Sequence, residues 1–129
     1  MNEKVECKHY RISQIEADFE KLSKGKQSIK LEIQVSIKIP ESTKENQKNV
    51  VEITPVFSTD SQTEILKVKI QGQFEILNGK LLSDDDREKV LEKEAVPILY
   101  LKLQNYIDDV LKLSNISFIG LPSYEDEDE

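Results

Sequence analysis

The chain has 129 residues, 33% of them charged and 37% hydrophobic, which bounds it to one domain with little core to spare. Its net charge is -7, but the last five residues, EDEDE, carry most of the imbalance; without them 20 acids face 18 bases. A near-neutral body lacks the basic footprint of a nucleic-acid binder. No apolar run reaches the roughly 18 residues that a membrane-spanning helix needs, so no membrane insertion is expected.

The N-terminal residues MNEKVECKHYR contain no apolar stretch of the kind a secretory signal needs. The single cysteine, Cys7, rules out an internal disulfide and suits a reducing cytosol, so a cytoplasmic protein is expected. The first strand is predicted within residues 8–22. Tyr10 and Ile12 share one parity while Ile15, Ala17 and Phe19 share the other, so a bulge or bend is expected near Ser13-Gln14. Residues 29–39, IKLEIQVSIKI, alternate strictly and form a second strand with one dry and one wet face. Polar residues 40–49 then suit a hairpin loop.

Residues 50–58, VVEITPVFS, read as a third strand. Pro55 cannot donate to a ladder, so an edge position or a bulge is expected there. After a second hairpin-compatible loop at 58–63, residues 65–77 alternate again: Leu66, Val68, Ile70, Phe74 and Ile76 point one way. Gly72 falls on that apolar face, which implies a bulge or a close neighbour. Asn78-Gly79 is a turn signal. Ser83 is placed to cap a helix whose first turn holds Asp84 to Asp86, where acids favour the helix dipole.

The stretch Glu94 to Leu113 carries the most information. Ala95 to Leu101 are all apolar. Tyr100, Leu103, Tyr106, Ile107, Val110 and Leu111 then fall at helical spacing. Pro97 lacks an amide proton and is expected to kink this helix or restart it. Leu113-Ser114-Asn115 ends it, and Ile116 to Pro122 is a short apolar segment. The order is that of an α+β fold, a four-stranded antiparallel sheet followed by one long, Pro-interrupted helix packed on one face. The expected organisation is a single domain over 1–122 and an acidic disordered tail over 123–129. A helix apolar nearly all round in its first half needs cover on more than one side. One sheet supplies only one cover, so the other is expected from a second subunit or a client.

Little in the sequence points to catalysis. There is one histidine, and Cys7-x-His9 is read as two side chains on one strand face. Two ligands do not complete a zinc site, so neither a metal nor a cofactor is expected. A Cys-His nucleophile needs a lowered thiol pKa and an oxyanion donor, and neither is evident. The three consecutive aspartates fan out around a helix rather than converge. Convergent acid–base groups are lacking, and no enzyme is expected. Tyr100 and Tyr106 suit a pocket as well as they suit a core or subunit interface. The acidic tail reads as a solvated end, with docking of a basic partner as the alternative.

These segments, in this order, resemble the SecB-type protein-export chaperones and their SecB-like relatives over residues 8–122. YRISQIEADFE is similar to the family's first strand and LEIQVSIKI to its second. NVVEITPVFSTDSQTEILKVKIQGQFEIL is similar to the third and fourth strands, including a Gly-x-Phe-x-Ile end. AVPILYLKLQNYIDDVL resembles the family's Pro-x-Ile-Leu-aromatic helix, and FIGLP falls at an apolar segment ending in a proline motif. The resemblance implies an ATP-independent holdase for unfolded polypeptide clients in protein export and translocation, assembled as a homotetramer, a dimer of dimers. It implies Phe74, Ile76, Pro97, Tyr100, Leu103 and Tyr106 as client-groove or subunit-interface positions. Tyr100→Asp is then expected to split the oligomer or abolish binding.

The family's export members dock the SecA motor through acidic positions, two of which match Glu16 and Glu20. A further acidic position falls at Lys67, which weakens that implication. After FIGLP only SYEDEDE remains where the family has a last helix. Both departures favour the alternative, a SecB-like adaptor dedicated to one partner such as an antitoxin.

Overall fold

A computed structural model describes residues 5–18, 29–39, 49–59, 64–77, 83–113 and 120–122. The loops at 40–48 and 60–63, the Asn78-Gly79 turn, Phe19, Glu20 and the acidic tail lie outside the described residues. Four strands, β1 (Val5–Ala17), β2 (Ile29–Lys38), β3 (Asn49–Thr59) and β4 (Glu64–Ile76), form one antiparallel sheet in the order β1-β4-β3-β2. The chain therefore starts on one edge, resumes on the other, and returns strand by strand. Helix α1 (Asp84–Val90) follows, then a π-helical turn (Leu91–Ala95), then helix α2 (Val96–Leu113).

The alternation in the sequence sets which face is dry. Residues paired across an antiparallel ladder share a face. The pairs Val35↔Ile53, Ile53↔Ile70, Val51↔Gly72 and Ile12↔Ile70 all lie on the helix side. On β1 the register shifts twice, between Cys7 and His9 and between Ile12 and Gln14. Each shift is a bulge that inserts one residue and reverses parity. Val5 and Cys7, then Tyr10 and Ile12, then Ile15 and Ala17 are thereby all kept on the helix side. The second bulge is the one expected at Ser13-Gln14. The first was not foreseen, and it corrects the reading of Cys7 and His9. Cys7 pairs with inward Phe74 and His9 with outward Gln73, so the two side chains lie on opposite faces.

Pro55 also needs correction. It sits on β3, an interior strand, and is buried. The β3–β4 ladder has no Cα pair at Thr54 or Pro55 and resumes at Val56↔Lys67 in the register it had at Ile53↔Ile70. A gap in one ladder, with Ile33↔Pro55 kept in the other, accommodates the missing N–H without an edge or a bulge. Gly72 is the close-neighbour case. A Cβ built there would lie 2.7 Å from Phe74 Cε1 and 2.9 Å from Leu99 Cδ1, so its hydrogen lets α2 approach the sheet.

Ser83 caps α1 as expected. Its Oγ accepts from the Asp86 amide at 3.2 Å, and its carbonyl accepts from the Arg87 amide at 2.9 Å. Ser83→Ala is expected to cost about 1 kcal/mol in urea unfolding, because an orphan N–H loses its side-chain acceptor. Pro97 restarts the helix rather than ending it. The Val96 amide donates five residues back to the Leu91 carbonyl, and the next residue is the proline that has nothing to donate. The wider turn absorbs the missing bond that would kink a continuous α-helix.

The core lies between one helix row and the two central strands. Leu91, Ala95, Leu99, Leu103, Ile107 and Leu111 recur every four residues and are all fully buried. They meet Val51, Ile53 and Phe57 of β3 and Leu66, Val68, Ile70 and Phe74 of β4. No helix is long and apolar enough to cross a membrane among the described residues.

Candidate functional site: apolar surface beside the helix

A single helix about 10 Å wide covers about two strands of a sheet spaced 4.8 Å apart. Here the covered strands are β3 and β4, and the apolar rows of the edge strands extend past it. On β1, Tyr10 is 53% exposed and Ile15 is also open; on β2, Val35 is 48% exposed and Ile33 is open. The outer side of α2 adds Ile98 and Leu101, the latter 57% exposed. Scattered exposed apolar residues are ordinary, but these flank one element on known faces.

On the β2 side the surface is concave. Val35 and Ile37 of β2 and Val96 of α2 form the apolar lining of a cleft of about 380 Å³, with Glu88 and Glu92 on its rim. Glu88, Glu92 and Val96 are one i, i+4, i+8 row, so a single helical stripe forms that wall. Among the described residues β2 pairs with β3 alone, which leaves the other edge of β2 beside the cleft open to a further strand. On the β1 side, Lys102 Nζ lies 4.5 Å from the centroid of the Tyr10 ring.

The residues expected at the groove or interface divide by depth. Phe74, Ile76, Tyr100 and Leu103 are buried within the single chain, and Pro97 and Tyr106 are half-buried. Phe74 and Leu103 have no accessible surface in the isolated chain; Phe74 lies on the sheet under α2 and Leu103 on the buried side of α2 itself. The accessible apolar positions were not all named from sequence. Alternation placed Val35 and Ile37 on the dry face, but nothing local shows that β2 is an edge strand. Burial also changes the expected outcome for Tyr100→Asp, which would place a charge inside one chain and unfold it before any assembly question arises.

Tyr100 is part of an intrachain clasp. Its hydroxyl donates to the Pro122 carbonyl at 2.5 Å, and Gln104 Nε2 donates to the Leu121 carbonyl at 3.1 Å. Burial raises the Tyr100 phenol above its ordinary value. A raised folded-state value means the neutral phenol is favoured. That stability is fully present below the unfolded value near pH 10 and is lost as pH rises through the folded value. Tyr100→Phe is expected to cost about 1 kcal/mol at neutral pH. It should also flatten the decline of melting temperature above about pH 10, which a pH series of thermal melts reads.

The polar face of the sheet carries an ordered network. Arg11 Nε and Nη2 donate to Gln71 Oε1 at 3.4 and 3.3 Å, and Gln71 Nε2 donates to Glu52 Oε2. Glu16 is exposed on this face, accepts from Gln14 Nε2, and lies directly opposite Lys67 in the ladder. Cys7 donates its thiol to the His9 carbonyl at 3.7 Å rather than to the imidazole. Burial pushes that thiol above its ordinary value, against the attraction of Lys102. Both facts are opposite to what a nucleophile needs. Among the described residues no group of three metal-ligating side chains converges.

No protein-family model matches the sequence, and no curated protein matches it. Solved structures do match the fold. One is the Mycobacterium tuberculosis Rv1957 SecB-like chaperone in complex with a ChAD peptide from the Rv1956 HigA1 antitoxin. It is similar at a TM-score of 0.58 and 11% identity, over 95% of this chain and 92% of that chain. The four-stranded antiparallel sheet with a long helix on one face is thus a SecB-like α+β fold.

Proposed function

We propose that the chain is an ATP-independent holdase chaperone that binds unfolded or non-native polypeptides. The cleft beside β2 carries this reading. Its apolar lining, Val35, Ile37 and Val96, adjoins an open strand edge. Apolar burial contributes about 25 cal/mol per Å² whatever the client sequence. Main-chain hydrogen bonds along an edge are equally indifferent to sequence. Both terms suit unfolded chains, and neither needs nucleotide, cofactor or catalysis. The fold's likeness to a chaperone solved with a peptide supports a polypeptide ligand.

The outer side of α2 is assigned to assembly. Ile98 and Leu101 are exposed on a helix whose opposite side is fully buried, so a second copy covers them in a homotetramer with helices between two sheets. The protein is placed in the cytoplasm, where export clients would be held, and SecA would dock at Glu16 and Glu20. One observation favours a second reading, an adaptor dedicated to one partner such as an antitoxin: Lys67, where the export members carry an acid, is the ladder partner of Glu16.

Two measurements separate these readings. A holdase suppresses aggregation of a chemically denatured model protein without nucleotide, and a pull-down recovers many polypeptides. An adaptor leaves the model protein to aggregate and recovers one stoichiometric partner. Failure of both suppression and partner recovery would contradict both readings.

A further inference from the structure

Residues 120–122 run along α2 in the opposite direction to it. Pro122 is held by Tyr100 and Leu121 by Gln104, through the two hydrogen bonds given above. A Cβ built on Gly120 would lie 3.5 Å from Asp108 Oδ1. Tyr100, Gln104 and Asp108 form one i, i+4, i+8 row on the helix. Leu121 is buried and joins the main core cluster. Two features of this contact give it the chemistry of a binding site. Both donors come from α2 and both acceptors are main-chain carbonyls, which any polypeptide presents. The side chain that is sunk is an aliphatic one, which many polypeptides could supply. Pro122 brings no N–H that would need an acceptor.

We propose that Tyr100 and Gln104 form a carbonyl-reading site for an extended apolar polypeptide segment, occupied in cis by Leu121-Pro122. The chain's own strap then competes with a ligand of the same chemistry supplied in trans. Only the nature of that competitor, a non-native polypeptide, rests on the chaperone reading. A tethered segment is present at high effective concentration, so it fills the site without being tight. A strap closed about nine-tenths of the time lowers the apparent affinity for a competitor about tenfold. The strap thus sets a threshold: weak apolar segments stay out, and segments that bind more strongly displace it.

The test uses the full chain and a fluorescent peptide of its own residues 118–124, FIGLPSY, read by anisotropy. Leu121→Ser removes the buried anchor of the strap and is expected to tighten peptide binding about tenfold over the unmodified chain. Adding Tyr100→Phe or Gln104→Ala to that variant should remove the gain, and a peptide carrying serine for its leucine should not bind. Equal affinity of the two chains, no binding to either, or a gain that survives loss of either donor would overturn the proposal. Should Leu121→Ser fail to melt cooperatively, the same comparison with Leu121→Ala decides. The outcome separates from the chaperone reading. Aggregation suppression without the tenfold gain leaves the holdase and removes the strap; the gain without suppression does the reverse.

Discussion

Gly72→Val is expected to destabilise the chain by about 3 kcal/mol, measured as a lowered urea midpoint at unchanged slope. Local propensity predicts the opposite sign, since valine is favoured over glycine in a strand by up to about 1 kcal/mol. Packing decides the matter. A Cβ at this position would already lie 2.7 Å from Phe74 Cε1 and 2.9 Å from Leu99 Cδ1. Phe74 and Leu99 are both fully buried and have no solvent side to move into. Relief requires α2 to lift from β4, which would loosen the row from Leu91 to Leu111. Gly72→Ala adds the Cβ without the branches and should fall between the two, at about 1–2 kcal/mol. A stabilised Gly72→Val would mean that α2 does not lie against the sheet at this point.

The double variant Ile98→Asp/Leu101→Asp is expected to leave folding almost intact and abolish assembly. Both side chains are exposed in the single chain, so the stability change should stay within about 0.5 kcal/mol per site. In the proposed assembly the same positions would be dry. Two unpaired carboxylates there cost several kcal/mol each, enough to weaken a subunit contact by orders of magnitude. Light scattering should return a monomer mass for the variant and a multiple of it for the unmodified chain. Tyr100→Asp, one residue away, is the contrasting control. Its side chain is buried within the chain, so it should lose its melting transition altogether.

Much of this fold is legible in the sequence because the alternation is long and the breaks are chemically marked. IKLEIQVSIKI and the residues from Leu66 to Ile76 lie on the faces their parity indicates. Ser83 caps the helix that it precedes, and Pro97 marks its restart. Strand order is what local pattern does not carry. It depends on which strands meet after a long connection, and it explains both main departures. Pro55 looked like an edge residue because a proline lacks a donor, yet one skipped pair in an interior ladder suffices. Val35 looked like an ordinary core position because its parity is inward, yet β2 is an edge beyond the reach of α2.

The site was legible to the same degree. The apolar run Ala95 to Leu101 marks a helix with more apolar surface than one sheet covers: Ile98 and Leu101 remain exposed in the single chain. Phe74 and Leu103 lie in the same region but are sealed between the helix and the sheet. The bulge at Lys8, invisible in composition, decides that Cys7 and His9 face apart. The clasp of Gln104 on Leu121 joins residues 17 positions apart with no periodic signal to announce it.

The proposed function requires that apolar surface beside β2 hold non-native polypeptide. It is tested most directly by titrating a permanently unfolded, carboxymethylated model protein with the chain and with Val35→Asp. Val35 is exposed, so the substitution should leave the melting transition in place while setting a third carboxylate beside Glu88 and Glu92 in the cleft. Saturable binding to the unmodified chain is expected without nucleotide, weakened at least tenfold by Val35→Asp. Equal binding by both chains, or no binding by the unmodified one, would contradict it.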